Sequence, residues 1–496
     1  GGSRMRLLGS VSWALLPPLL PAGVCALLIL GAMFGFASYY GDHMVLQKEP
    51  AGAVVWGYGE PGAAVTVVLS GAGGLVVLKK TARVKGGSWT LTGGLVAEEH
   101  QAQPESDPLG FRELAAAAHY PYIRIFAAAP ARSDVQLDDL ERIDLPWSVP
   151  TAENLGHGNF TYFSAVCWLL GRYLYEALRY PLGLVQAAWG GTPIEAWSSP
   201  RALRAFTLVP RAISPQQQLW GPQTPSVLWN AMIHPLLNMT LRGVAWYQGE
   251  ANAFLHTDRY NCTFPALIAD WRRAFHTGSV GQTELLLPFG FVQLSTYHQQ
   301  SPADSFARLR WHQTADLGVV PNARMPHTFM AVAMDLGDEH SPYGSIHPRD
   351  KQNVAHRLQL GARAVAYGEK NVIFQGPYPT GAVLEVARGL LNVTYSQELV
   401  WRCRDMRAFE VCCSSPPSPC RWLPAPVVAV ESRRVTLALA GCGGLVLALR
   451  YAWAEWPCDY QSCVLYNSWG LPAPPFLLDA LAAGESPGRA ICVEEA

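Results

Sequence analysis

The apolar and polar positions of the chain follow three successive patterns. Between residues 36 and 93, short β-branched runs alternate with Gly and Pro turns, which is typical of the strands of a small β-sandwich-like domain. The predicted strands are Val54–Trp56, Val65–Leu69, Leu75–Lys79 and Ser88–Leu91. Residues 94–120 are polar at first and alanine-rich at the end, so they are interpreted as a linker.

From residue 121 to about 370, short apolar runs alternate with longer stretches of helical character. The predicted strands are Tyr122–Ala127, Gly183–Trp189, Gly243–Tyr247, Phe289–Leu294 and Thr328–Asp335. The predicted helices are Tyr162–Arg179, Tyr260–Phe275, Asp304–Leu317 and Asp350–Tyr367. This alternation predicts an α/β fold with a mostly parallel sheet covered on both faces. Residues 371–496 return to a β-type pattern rich in cysteine.

The beginning of the chain combines one or two arginines, a long apolar run and small residues such as Ala22, Gly23 and Ala26. This pattern predicts a secretory signal peptide within residues 1–35, with the residues before Met5 lying upstream of a true start. A transmembrane anchor is the alternative, because the apolar run extends to Phe36. Prolines interrupt that run, and no other apolar stretch of the sequence is long enough to cross a bilayer.

Charge and cysteine content narrow the class of protein. The 37 basic and 38 acidic residues leave a net charge of −1, which argues against nucleic-acid and polybasic membrane binding. Eight of the 11 cysteines lie in the last quarter at spacings unlike a zinc site, so they predict disulfides of open connectivity. Four glycosylation sequons agree with a secretory route: Asn159, Asn238, Asn261 and Asn392.

Three loops that follow predicted strands carry polar groups. The first, "AAWGGTPIEAWSS", is called the glycine loop (residues 187–199). Gly190 and Gly191 let backbone N–H groups approach a ligand closely, which suits an oxyanion hole. A tight strand-to-helix turn explains the two glycines equally well.

The second loop follows "VAW" and is called the QGE loop (residues 247–257). Gln248, Glu250 and Asn252 cluster there on a glycine-containing turn. An asparagine amide donates well to a developing oxyanion, so Asn252 is a candidate for that role. Helix capping by Glu250 and Asn252 is the alternative.

The third loop is called the histidine loop (residues 335–350) and contains Asp335, Asp338, Glu339, His340 and His347. A metal site is conceivable, but the spacing matches no standard ligand pattern. We interpret His347 as a general base, with a carboxylate such as Asp335 available to orient it. The alternative is that His347 merely precedes a helix that begins near Asp350. These loops indicate a hydrolytic site, yet no GxSxG nucleophile motif is present.

Many motifs in order resemble one family: "VVWGYGEPG", "WGGTPIEAWSS", "GVAWYQGEAN", "PFGFVQLS", "RWHQTAD", "GSIHPRDKQNVAHRLQLGARAVAYGE" and "LRYAWAEWPC". They closely resemble the sialate O-acetylesterase family of the SGNH-hydrolase class, from Phe36 to about Leu477. The resemblance implies a three-layer, flavodoxin-like core over residues 121–370. It also implies a serine esterase that removes O-acetyl groups, chiefly 9-O-acetyl, from sialic acids and sialoglycoconjugates, without a cofactor or metal.

The resemblance assigns roles to matching positions. His347 is similar to the family's catalytic base; Gly190 or Gly191 and Asn252 are similar to its oxyanion-hole residues. Gln248 and Glu250 belong to its substrate-site loop. A lysosomal or extracellular location is implied. Relatives outside the vertebrate enzymes often carry Asp-Ile-His at this position, whereas this chain has Ser345-Ile346-His347. The identity of the third triad member therefore stays open. The site uses either a Ser–His dyad or a distant carboxylate such as Asp335.

One family segment is missing. The nucleophilic serine of the family lies in a "GQSNM" turn after a strand, between the small β domain and the "REL" segment, whereas this chain runs from "SWTLTGGLVAEEHQAQPESDPLGF" directly into "RELAAAAHYPYIRI". Ser88 and Ser106 lie nearby, but neither has a strand–turn–helix setting. We therefore expect an interrupted sheet and a chain that is inactive as written. The alternatives are a non-catalytic carbohydrate-binding pseudoenzyme and a metal-dependent hydrolase.

Overall fold

The computed structural model describes residues 4–8, 34–47, 50–70, 76–93, 114–156, 163–204, 221–402, 408–414, 420–439, 441–443 and 445–479. In this part of the chain the three sequence patterns correspond to three groups of elements. No helix among these residues is long and apolar enough to cross a membrane.

The N-terminal group consists of two three-stranded antiparallel sheets. In chain order its strands are β1 (Arg4–Leu8), β2 (Gly35–Phe36), β3 (Ala53–Tyr58), β4 (Ala64–Ser70), β5 (Val76–Arg83) and β6 (Ser88–Gly93). One sheet has the order β1-β4-β5 and the other β2-β3-β6. Side chains from both sheets, including Val55, Val65 and Trp89, share one apolar cluster. All four strands predicted here are confirmed.

Strand β1 lies inside the predicted signal peptide. Arg4 to Leu8 pair antiparallel with Ser70 to Thr66 of β4. Signal-peptide cleavage would remove this strand and leave an edge of β4 unpaired. The signal peptide and the domain boundaries stay predictions.

The central group alternates strands and helices. Its strands are β7 (Ile123–Ala128), β8 (Ile143–Ser148), β9 (Leu182–Gln186), β10 (Val244–Trp246), β11 (Phe289–Gln293) and β12 (Thr328–Val332). Its helices are α1 (Ala152–Leu155), α2 (Ala165–Leu178), α3 (Pro200–Arg204), α4 (Tyr260–Gly278), α5 (Ser305–His312) and α6 (Lys351–Val365). Every strand and helix predicted for this group is confirmed, with ends shifted by a few residues.

The parallel strands fall into two separate sheets. Strand β7 pairs parallel with β9 and antiparallel with β8, and β10, β11 and β12 form a second, parallel sheet. Within the described residues no strand pairing connects β9 to β10. All side chains of β11 and β12 are buried, whereas no residue of β9 is fully buried. The structure therefore agrees with the expectation of an interrupted sheet.

Helix α6 is tied closely to the second sheet. Asp350 caps it, because its side chain accepts a hydrogen bond of 2.9 Å from the Asn353 N–H. This confirms that the helix begins beside Asp350. The ring of Phe329 on β12 fills the space beside Gly361 of α6 and Gly290 of β11, where a Cβ at either glycine would overlap the ring.

The C-terminal group is a β-type region, as predicted. Its strands are β13 (Pro379–Glu385), β14 (Leu390–Tyr395), β15 (Val400–Trp401), β16 (Phe409–Ser414), β17 (Arg421–Pro424), β18 (Val427–Glu431), β19 (Arg434–Ala438), β20 (Leu445–Tyr451), β21 (Leu465–Tyr466) and β22 (Phe476–Leu478). Two four-stranded antiparallel sheets have the orders β13-β14-β19-β18 and β17-β16-β20-β22. The predicted disulfides are confirmed as Cys412–Cys420, Cys413–Cys442 and Cys458–Cys463.

The packing around Phe329 predicts the effect of Gly361→Ala on stability. In an exposed helix, replacing glycine by alanine stabilises the folded protein by up to about 1 kcal/mol through helix propensity. Here the added methyl meets the Phe329 ring, so we expect destabilisation by about 1–3 kcal/mol, measured as a lower urea midpoint. The double variant Gly361→Ala/Phe329→Leu should recover part of the loss. A Gly361→Ala protein as stable as its parent would contradict this packing.

Candidate functional site

The glycine loop and the QGE loop are joined by the buried side chain of Asn252. Its Oδ1 accepts hydrogen bonds from the Ile194 N–H at 2.8 Å and from Gln248 Nε2 at 2.7 Å. Its Nδ2 donates to Glu195 Oε2 at 3.0 Å and to the Leu255 carbonyl at 3.1 Å. Only 1% of Asn252 is exposed, so these four bonds form away from water. They fix the two loops against each other.

Gln248 and Glu195 extend this connection. Gln248 Nε2 also lies 3.1 Å from the Thr192 carbonyl, and its Oε1 accepts from the Tyr260 hydroxyl. The second oxygen of the buried Glu195 lies 2.9 Å from His256 Nδ1. Sequence reasoning did not select Glu195, because an isolated glutamate after "TPI" carries no signal of a partner about 60 residues away.

The predicted oxyanion-hole residues differ in their exposure and in their hydrogen bonds. Gly190 and Gly191 are exposed, and Gly191 has a φ of +72°, a conformation that favours glycine. Nothing lies within 4 Å of a Cβ placed on Gly190. Both amide hydrogens of Asn252 already have acceptors, so its direct contact is with the protein. Its role in an oxyanion hole stays a prediction.

Lys351 connects the QGE loop with the histidine loop. It is the first residue of α6, and its Nζ lies 3.5 Å from the Tyr247 hydroxyl and 5.1 Å from the Tyr247 ring centroid. Burial raises the pKa of Glu250, while a backbone N–H and Lys351 lower it. Burial and the charge of Lys351 lower the pKa of His347. His347 is therefore held towards its neutral form, which is the form a general base needs.

The backbone around His347 is held by short-range hydrogen bonds. The His347 N–H donates to the Gly344 carbonyl at 2.8 Å, and the Ser341 hydroxyl donates to the His347 carbonyl at 2.6 Å. Arg349 forms an ion pair with Asp338, whose pKa is lowered by the hydrogen bond from that guanidinium. Gly344 has a φ of +86° at the turn before His347. The loop thus has a defined shape, in which His347 is only partly desolvated and keeps part of its surface exposed.

Asp335 is held by two side chains from other elements. Its two oxygens accept hydrogen bonds from Arg357, at 2.5 and 2.9 Å, and Oδ2 also accepts from the Tyr466 hydroxyl at 3.0 Å. The side chain is completely buried between α6 and β21. These contacts hold the C-terminal region against the core, and the orientation of His347 by Asp335 stays a prediction.

The expected glycosylation at Asn261 changes with the structure. Asn261 is 5% exposed on α4, and its Nδ2 donates to Asp316, so a glycan at this nitrogen does not fit the fold. Asn238 and Asn392 are partly buried, and Asn159 lies outside the described residues, as does Ser106. No group of three or more His, Cys, Asp or Glu side chains within the described ranges could hold a metal ion.

Comparisons with known proteins give the class. Residues 168–355 match the family model "Carbohydrate esterase, sialic acid-specific acetylesterase", and residues 380–480 match "Sialate O-acetylesterase C-terminal domain". A crystal structure of a carbohydrate acetylesterase from Xanthomonas citri is similar to this structure. It has a TM-score of 0.66 and 26% identity, and the match covers 90% of this chain and 99% of that chain. The fold and site are therefore those of a carbohydrate esterase.

Full-length relatives define the family more closely. Sialate O-acetylesterase of Homo sapiens is 50% identical over 501 positions, covering 92% of this chain and 95% of the relative. The Pongo abelii enzyme has the same identity and coverage, and that of Mus musculus is 48% identical, covering 90% of this chain and 94% of the relative. The chain belongs to the sialate O-acetylesterase family.

The same alignment reveals an internal difference in length. Of its 501 positions, this chain fills 92% of 496 residues, or about 456. The human enzyme therefore has about 45 residues within the aligned span that this chain lacks. A shortfall of that size agrees with the absent serine turn.

The Asn252 network makes a prediction about stability. Asn252→Ala leaves Glu195, Gln248 and the Ile194 N–H each short of a partner in a buried setting. We expect a loss of about 2–4 kcal/mol in the free energy of unfolding, measured in urea. The exposed Gln300→Ala should change it by less than about 0.5 kcal/mol. Equal stability of the two variants would show that the network contributes nothing.

The buried ion pair of Asp335 predicts a second effect on stability. Asp335→Asn removes one partner of a buried ion pair, so we expect destabilisation by about 3–5 kcal/mol in urea unfolding. Because both oxygens of Asp335 are bound by Arg357 and Tyr466, we expect the His347 pKa, measured by NMR titration, to stay unchanged. A changed His347 pKa with intact folding would show that Asp335 is the orienting carboxylate.

Proposed function

We propose that this chain binds O-acetylated sialic acids at the glycine, QGE and histidine loops, and that hydrolysis of their O-acetyl esters, chiefly 9-O-acetyl, is the reaction for which the site is built. The observation that carries the proposal is the linkage of all three loops, through Asn252 on one side and Lys351 on the other. The family relationship supplies the substrate class. The proposal includes an SGNH-type three-layer core and no cofactor or metal.

The chemistry follows from the groups in these loops. In the family reaction a serine hydroxyl attacks the acetyl carbonyl, and a histidine takes the hydroxyl proton and passes it to the departing sugar alcohol. His347, held towards its neutral form by burial and Lys351, suits that transfer. Backbone N–H groups at Gly190 and Gly191 would stabilise the oxyanion. The main role of Asn252 would be to hold the loops in place. To donate a hydrogen bond to the oxyanion, its Nδ2 would have to give up the hydrogen bond to the Leu255 carbonyl.

The nucleophile is the missing part. The proposal therefore assigns binding to the chain as written and turnover to a chain that contains the serine segment. A non-catalytic carbohydrate-binding protein is the second candidate, favoured by the shorter aligned span. The disulfides are consistent with a secretory route ending in the lysosome or outside the cell.

Acetate release from a 9-O-acetylated sialoside tests the proposal. We expect no release by the chain as written, and release once the serine segment of the human relative is inserted between residues 93 and 114. In that restored chain His347→Ala should lower turnover by about 10⁴-fold to 10⁶-fold while the fold remains intact, because the proton acceptor is lost.

Three outcomes separate the candidates. Binding of the sialoside by the chain as written, without turnover even after restoration, would favour the carbohydrate-binding protein. Release that a chelator abolishes would favour a metal-dependent hydrolase. Full activity of the restored His347→Ala protein would contradict the assignment of the base.

A further inference from the structure

The loop that follows β11 was not selected from the sequence, yet the order of the sheet brings it beside the proposed site. Strand β11 pairs with β10 on one side and with β12 on the other, and all three run parallel. The QGE loop follows β10, and the histidine loop follows β12. Residues 294–304, called the β11 loop, therefore leave the sheet at the same edge, between those two loops.

The backbone of the β11 loop is held by buried side chains. Arg310 of α5 donates hydrogen bonds of 2.8 Å to the carbonyls of Leu294 and Ser295. The His298 N–H donates to Glu455 Oε1 at 2.8 Å. Arg310 and Glu455 are both buried. A loop held in this way presents its side chains in one arrangement, which lowers the entropy cost of binding a ligand.

Three rings from two loops form a surface on this backbone, called the ring platform (Phe254, Tyr297 and His298). The Phe254 ring of the QGE loop meets the Tyr297 ring edge to face at a centroid distance of 6.2 Å, and the His298 ring lies 3.6 Å from that of Tyr297. The buried ring of Phe306 packs against Phe254 at 5.9 Å and against Tyr297 at 5.8 Å. Phe254 is 42% exposed and His298 is exposed as well, so the platform is open to solvent.

The composition of the two loops indicates which ligand the platform suits. Aromatic faces pack against the C–H groups of a sugar ring, and the exposed polar side chains of His298, Gln299 and Gln300 can form hydrogen bonds with sugar hydroxyls. The charged residues of the two loops are Glu250 and Asp304, and neither loop contains Lys or Arg. Acidic surroundings without a cation from either loop favour a neutral sugar over the carboxylate of a sialic acid.

We propose that the ring platform is a second sugar subsite of the esterase: it binds the neutral sugar to which the O-acetylated sialic acid is linked, with Phe254 as the main contact. The platform acts on affinity for the glycan, because its rings take no part in the transfer of protons or of the acetyl group. The chain therefore distinguishes a sialylated oligosaccharide from sialic acid alone. This inference rests on the proposed binding of O-acetylated sialic acids at the adjacent loops.

The test compares two ligands of the chain as written by isothermal titration calorimetry. One is 9-O-acetylated sialyllactose, and the other is the methyl glycoside of the same sialic acid, which lacks the neutral sugars. The parent should bind sialyllactose more tightly. Phe254→Ala should weaken the binding of sialyllactose by about threefold to tenfold, because an aromatic contact contributes an amount of that order, and should leave the affinity for the methyl glycoside close to that of the parent.

Two further variants serve as controls. Phe254→Tyr keeps the ring face and should bind both ligands as the parent does. Trp469→Ala, which removes a 65% exposed ring of the C-terminal region, is the matched control and should change neither affinity.

NMR adds a readout that a purely structural role would not produce. Proton signals of the galactose ring of sialyllactose should move upfield on binding, since these protons lie over an aromatic face, and the shift should be lost in Phe254→Ala. His298→Ala, a change at an exposed position, should reduce both the shift and the affinity. This second variant keeps the inference open to refutation if Phe254→Ala does not fold.

The possible failures can be told apart. Equal affinity of the parent for the two ligands, or an unchanged affinity for sialyllactose in folded Phe254→Ala, overturns the inference and leaves the proposed function standing. Binding of neither ligand by the chain as written refutes both. A Phe254→Ala protein that changes only its oligomeric state, measured by analytical ultracentrifugation, would assign the platform to a contact between protein copies and would also overturn the inference.

Discussion

The buried amide of Asn252 is the constraint on which the arrangement of the site depends. It satisfies polar groups of the glycine loop and of its own loop at once, and only 1% of Asn252 itself is exposed to water. A single hydrogen bond adds about 0.5–1.5 kcal/mol, but a buried polar group left without a partner costs about 1–3 kcal/mol. The penalty for separating the two loops is therefore larger than the gain from forming any one bond. This difference in free energy fixes the glycine loop and the QGE loop in one relative position.

The C-terminal region fixes the other side of the site. Asp335 begins the histidine loop and is held by Arg357 of α6 and Tyr466 of β21. Arg310 of α5 is fully buried, with a pKa lowered by burial to about 9, and it donates to the carbonyls of Ala454 and Glu455. Both arginines use several donors on fixed acceptors, an arrangement that suits the planar guanidinium. The histidine loop is thus positioned from the core and from the C-terminal region together.

The sequence was sufficient where the deciding interactions are local. Periodicity predicted five of the six strands and four of the six helices of the central group, including the start of α6 near Asp350. Cysteine crowding predicted disulfides without their pairing. These features depend on neighbours within a few residues, which a single sequence displays directly.

Sequence reasoning failed where the partner is distant. Glu195 and Asn252 are 57 residues apart, and Asp335 and Tyr466 are 131 residues apart. The sequence placed Asp335 and His347 in one loop, but it did not reveal that this completely buried carboxylate is paired with Arg357. Asn261 carries a sequon, yet its position on the inner side of α4 is decided by tertiary packing. Lys351 had no motif of its own, and only the approach of its Nζ to Tyr247 revealed its place.

The central claim is that three loops from separate parts of the chain form one carbohydrate-binding site. Hydrogen–deuterium exchange of the chain as written, with and without a 9-O-acetylated sialoside, measures this directly. The account predicts slower exchange on binding in residues 187–199, 247–257 and 335–350 together. Protection confined to one loop, or found only elsewhere in the protein, would contradict it.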